Sequence, residues 1–146
     1  MYHKGAANSD LLAAPLSLLE KEEEMSDSVT RALEAFNNRA YRDALLAFEE
    51  RWFTERNDFW KALIRLSNAL MQLELGLVTA PRLALASAEE LLAAYEPFYE
   101  GFDVTALRAY IARVRTVIPD QLETGSGSVA WEDVPHLALM RAVQQA

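Results

Sequence analysis

Two stretches of this chain carry side chains able to bind or react. The first holds Asp43, Glu49, Glu50 and Trp52; the second holds Lys61, Arg65, Asn68 and Gln72 at spacings of four, three and four, one polar face of a helix. Glu49 follows the core-spaced Phe48 and precedes Trp52 by three positions, so its carboxylate could border a cavity. Arg65 on the next helix suits an anionic group. One reading therefore lines a small-molecule pocket with Glu49, Trp52, Arg65 and Asn68, between the second and third helices. The plainer reading is preferred: every amphipathic helix has a polar face, and an exposed Glu–Arg pair contributes little. Glu49 and Glu50 are adjacent, point in different directions on a helix, and do not form an acid–base pair.

Other chemistries are excluded more firmly. There is no cysteine, so disulfides, thiolate nucleophiles and Cys-ligated metals are ruled out. The two histidines, His3 and His136, are near opposite ends. No phosphate-binding glycine loop, G-x-S-x-G elbow, H-E-x-x-H or calcium loop occurs. No catalytic residue, metal or cofactor is expected, and His136 reads as a packed or half-exposed imidazole and not as a ligand. Basic residues number 14 against 22 acidic ones, a formal charge of −8. That balance argues against nucleic acid and anionic membranes, although Arg108, Arg113 and Arg115 share one helix. The early run LLAAPLSLL is short, broken by Pro15 and ends in acid, unlike a signal peptide, and no stretch has the ~20 apolar residues of a membrane span. A cytoplasmic protein is expected.

The elements that would position these residues are helical. Five glycines and five prolines punctuate a chain rich in Ala, Leu, Glu and Arg, and β-branched residues never alternate at useful length. The fold expected is all-α: a compact bundle of about five to six helices around a central hydrophobic one. Residues 1–26 read as a partly helical extension with the acidic run Glu20–Glu24, and residues 27–118 as the bundle core. Residues 119–130 read as a linker containing Gly125-Ser126-Gly127-Ser128, and residues 131–146 as a C-terminal helix with His136, Leu139, Met140 and Val143 on one face. Within the core, helices are expected over about 27–38, 41–55, 58–76, 79–99 and 103–118. The third is central because Phe59, Leu63, Leu66, Leu70, Leu73 and Leu77 form one apolar stripe and Trp60, Ile64, Met71 and Leu75 another. Trp131, after the linker, would cap the bundle or anchor a second chain.

The run A-L-E-A-F-N at 32–37, Y-R-D-A-L-L-A-F-E-E-R-W at 41–52, A-L-I-R-L-S-N-A-L at 62–70 and Gly76 resemble the bacterial and archaeal domain of unknown function 309 family. That family's pattern is similar to F-N-x-G-x-Y-(F)-E-A-H-E-x-L-E-x-x-W followed by L-I-Q-x-A-x-A-L. The resemblance spans somewhat over half the chain and implies a compact bundle of about five helices, with no assigned activity. The family's His-Glu pair falls on Leu45 and Leu46, and its Gln on Arg65, while Glu49 and Trp52 remain. Leucine can neither ligate a metal nor exchange a proton, so any chemistry of that pair should be absent here. The function expected is therefore non-enzymatic: a scaffold or interaction module that binds a protein partner or a second copy of itself. The alternative is the ligand pocket between helices 2 and 3.

Overall fold

The computed structural model describes residues 28–118 and 129–142. It is all-α apart from one small hairpin. Helix α1 spans 28–37, α2 Tyr41–Thr54, α3 Asp58–Glu74, α4 Thr79–Leu92 and α5 Val104–Thr116. Between α4 and α5 lie a 3-10 turn, Ala93–Tyr95, and strands β1 (Phe98–Tyr99) and β2 (Phe102–Asp103), paired antiparallel with Phe98 opposite Asp103 and Tyr99 opposite Phe102.

The central helix is α3, as its pattern requires. No residue from Phe59 to Leu73 is exposed. Phe59, Trp60, Leu63, Leu66 and Leu70 are fully buried, and α3 packs against both α2 and α4. Each such side chain contributes roughly 1.5–3 kcal/mol by leaving water. Asn57 starts the helix, its side-chain oxygen accepting from the Trp60 N–H at 3.2 Å. Phe59 is the hub of an aromatic cluster, with ring centroids 4.9 Å from Trp60, 4.7 Å from Tyr99 and 5.3 Å from Phe102.

Two helices end in the same way on different residues. After α3, Gly76 takes φ +92°, and the amides of Gly76 and Leu77 donate back to Leu73 and Gln72. After α1, Arg39 takes φ +62°, and the amides of Arg39 and Ala40 donate to Phe36 and Ala35. Both are Schellman caps, whose left-handed position normally holds glycine. Arg39 carries the steric cost of a Cβ there. The tight turn makes α1 and α2 antiparallel, and Arg31 clasps Glu50 with two hydrogen bonds of 3.1 and 2.8 Å.

Three expectations are corrected. The fourth helix does not reach Tyr99: it stops at Leu92, and the chain then turns through the 3-10 segment and Pro97 into the hairpin. Leu77 does not extend the apolar stripe, since the Gly76 cap releases it to half exposure. The helix expected over 131–146 is not formed where the chain is described: Trp131–Asp133 is a 3-10 turn and 134–142 runs without helix. The bundle supplies that segment's backbone with other partners. Tyr110 Oη donates to the Pro135 carbonyl at 2.9 Å, and Asn37 both donates to the Leu139 carbonyl and accepts from the Leu139 amide, at 3.0 and 2.7 Å. Burial pushes the Tyr110 hydroxyl well above its usual range, keeping it a donor. Trp131 does cap the bundle, edge-on to Tyr41 at 6.0 Å. The extension 1–26, residues 119–128 of the linker and residues 143–146 lie outside the described residues.

Arg39→Gly should stabilise the protein by roughly 0.5–1 kcal/mol, read as a higher urea midpoint at unchanged slope; a loss of stability would contradict the cap assignment. The guanidinium of Arg31 holds the Glu50 carboxyl below its usual 4.5. Its contribution is therefore full above that pH and lost as pH falls through the lowered value. Wild type should exceed Glu50→Gln by up to about 1 kcal/mol at pH 7, and the gap should close in acid.

Candidate functional site

The four residues expected to line a pocket lie on two packed helices, Glu49 and Trp52 on α2 and Arg65 and Asn68 on α3. Arg65 reaches across to α4, where its guanidinium donates to the Ser87 hydroxyl. Lys61, Asn68 and Gln72 share its half-buried face, so the polar side of α3 is covered and not a solvent face. Trp52, half-buried on α2, packs against Phe53 at 5.6 Å and lies under the Arg56 guanidinium at 4.7 Å. Glu49 is half-buried on the same helix. Among the described residues, no hydrogen bond, ion pair or ring contact joins Glu49 or Trp52 to Arg65 or Asn68.

A different group is brought together. Arg51 lies on the buried stripe of α2, with Tyr41, Ala44 and Phe48, and is 7% exposed. Its guanidinium sits 4.9 Å over the Trp60 ring and forms ion pairs with Glu55 at 3.1 Å and Glu100 at 3.8 Å. Glu55 also accepts from the Trp60 indole N–H at 2.6 Å, and Glu100 accepts from Arg141 at 2.7 Å. Two cations and two carboxylates thus form a neutral chain joining α3, α2, the hairpin turn and the C-terminal segment. Arg51 Nε is buried without a hydrogen-bond partner. The signal for this cluster is a cation at a core position of the α2 stripe. Spacing alone does not reveal it, because the partner carboxylates come from other elements.

The hairpin and residues 140–142 border an open groove of about 640 Å³. The hairpin residues Phe98, Tyr99, Glu100, Gly101 and Asp103 form one side, and Met140, Arg141 and Ala142 the other. Phe98 is 69% and Met140 75% exposed, so the groove presents two large apolar side chains to solvent. Gly101 allows the two sides to meet. It has φ +84°, its carbonyl accepts from the Ala142 amide at 2.8 Å, and a Cβ there would lie 2.7 Å from the Ala142 carbonyl oxygen. Arg141 grips both the carbonyl and the carboxylate of Glu100. Tyr99, whose hydroxyl accepts from Asn57, is pushed up by burial and then by the nearby Glu55 and Glu100 carboxylates. None of Glu49, Trp52, Arg65 and Asn68 lines this groove.

Of the groove's charges, Arg141 and Glu100 pair with each other, and Asp103 accepts from the Ala106 amide at the start of α5. His136 is exposed, edge-on to Trp131 at 5.6 Å; desolvation, then the charge of Arg39, lowers its pKa. Among the described residues, no group of three or more His, Asp or Glu side chains is placed to hold a metal ion. Nor is any helix among them long and apolar enough to cross a membrane. Scans against protein-family models, curated proteins and solved structures return no match for this chain.

Arg51→Ala should cost about 3 kcal/mol in urea unfolding, since it breaks two ion pairs and uncovers Trp60. A double-mutant cycle of Arg51→Ala with Glu55→Gln should give a coupling of about 1 kcal/mol or more; additive losses would show that the two groups act separately.

Proposed function

We propose that this protein is a non-enzymatic scaffold of the cytoplasm that binds another protein through the groove between the hairpin and the C-terminal segment. The observation that carries this reading is the pair Phe98 and Met140, held exposed on opposite sides of one groove by Gly101, Arg141 and Asn37. Large apolar side chains fixed at a rim are the anchors a protein interface uses. The partner is a segment with an aromatic or aliphatic side chain beside basic residues. Glu100 is already paired with Arg141, which leaves Asp103 as the further charge at the rim, and the chain as a whole carries −8. Two copies of so acidic a chain repel, so a basic partner is favoured over self-association.

The reading also takes the chain as a divergent relative of the domain of unknown function 309 family. Arg39, at the position where that pattern has glycine, adopts the left-handed φ of +62° that glycine favours. The Phe-Asn pair has structural work, with Phe36 in the core and Asn37 on Leu139. Leu45 and Leu46, half-buried and 46% exposed, stand where the pattern has its His-Glu pair, and hydrocarbon there supports no proton transfer or metal ligation.

Selection of a displayed random-peptide library on the full chain should yield peptides rich in large apolar and basic residues. Their affinity should fall at least about tenfold for Phe98→Glu/Met140→Glu, whose melting temperature should match wild type because both side chains are solvent-facing. Peptides that bind the double variant equally well would refute the groove as the contact surface.

A further inference from the structure

The outward face of α2 carries a second apolar surface, independent of the groove. Arg42, Leu46, Glu49 and Phe53 recur at spacings of four, three and four, a stripe on the side opposite Tyr41, Ala44, Phe48 and Arg51. Leu46 is 46% and Phe53 63% exposed. Phe53 packs on Trp52 with ring centroids 5.6 Å apart, and the Arg56 guanidinium lies over both rings, 5.4 Å from Phe53 and 4.7 Å from Trp52. These contacts hold the exposed ring in place, which lowers the entropy cost of using it as an anchor.

The charge of this face runs against that of the chain. The protein carries −8, but the stripe with Arg56 has two positive charges against the one negative charge of Glu49, a net +1. Asp43 shares the side of Glu50, which Arg31 on α1 clasps. Arg31, Arg51, Arg108, Arg115 and Arg141 each have a carboxylate partner. Arg42 and Arg56, at the two ends of the stripe, have none within ion-pair distance among the described residues. The complement of this face is therefore apolar at its middle and acidic at its ends.

Spacing selects the shape of that complement. Leu46 and Phe53 are seven residues apart, about 10 Å along the axis, the two-turn repeat at which a second helix presents its own apolar residues. Arg42 to Phe53 covers about 16 Å, three turns. A second copy of α2 fits poorly. Laid parallel, it sets Arg42 on Arg42 and Glu49 on Glu49; laid antiparallel with Leu46 against Phe53, it sets Glu49 on Glu50.

We propose that this face binds a helical segment of another protein, about three turns long, with two large apolar side chains two turns apart and an acidic residue at each end. The apolar pair covers Leu46 and Phe53, and the end carboxylates pair with Arg42 and Arg56. This surface stands whether or not the groove binds.

A displayed library of helical peptides, selected on the full wild-type chain and counter-selected on Leu46→Glu/Phe53→Glu, tests the assignment, because counter-selection discards peptides held by the groove. Survivors should carry acidic residues flanking an apolar pair and bind wild type at least about tenfold more tightly than the counter-selecting variant. Arg42→Glu/Arg56→Glu, which keeps Leu46 and Phe53, should weaken the same peptides at least about tenfold and prefer versions with lysine at the acidic positions. Phe98→Glu/Met140→Glu should bind them as wild type does. Both α2 variants should keep the wild-type circular dichroism, since the replaced side chains are exposed. Recovery of no such peptide, or of peptides indifferent to the charge reversal, would overturn the proposal. A wild-type dimer that Leu46→Glu/Phe53→Glu converts to monomer would overturn it in favour of a second copy. Sedimentation with phosphatidylserine vesicles that the same variant abolishes would overturn it in favour of a membrane surface.

Discussion

A guanidinium taken out of water must be given partners, and Arg51 is almost wholly out of water. Those partners are spread through the molecule. The indole face of Trp60 comes from the central helix, Glu55 from the end of α2, and Glu100 from the hairpin turn. Glu100 then holds Arg141, which fixes the C-terminal segment. One buried charge thus sets the relation between the bundle and everything that builds the groove. The Trp60 indole N–H, itself buried, is satisfied by the same Glu55 that neutralises Arg51.

The helical frame was legible in the residues because it rests on periodicity. The α3 stripe Phe59, Leu63, Leu66, Leu70 and Leu73 is buried as its spacing demands, and Asn57 and Asp103 cap the helices they precede. The failures fall where long-range partners override local pattern. His136, Leu139 and Met140 are spaced like a helix face, yet Asn37, Tyr110 and Gly101 offer that backbone hydrogen bonds from distant parts of the chain and it forms no helix. The hairpin was masked by a run of apolar residues continuing the α4 pattern. Its turn, Glu100-Gly101 with φ of +51° and +84°, depends on Arg141 gripping Glu100, which no local reading reveals.

The candidate site repeats that lesson. Arg65 was read as suited to an anionic group on a pocket wall; in the structure its guanidinium donates to the Ser87 hydroxyl on α4. Trp52 was read as a cavity wall, yet Arg56, four positions on, covers it. The groove could not be read locally because its two sides are more than thirty-five positions apart in sequence and meet through the Gly101–Ala142 and Glu100–Arg141 hydrogen bonds.

That separation has a consequence for how the surface comes into being. Asn37 waits for a residue 102 positions further along the polypeptide. As the chain leaves the ribosome, α1 through α4 can pair with sequence neighbours long before Leu139 is made, because closing short loops is entropically cheap and closing this one is not. The groove is thus a late feature of biogenesis: its second side exists only once the chain has been translated through residue 142.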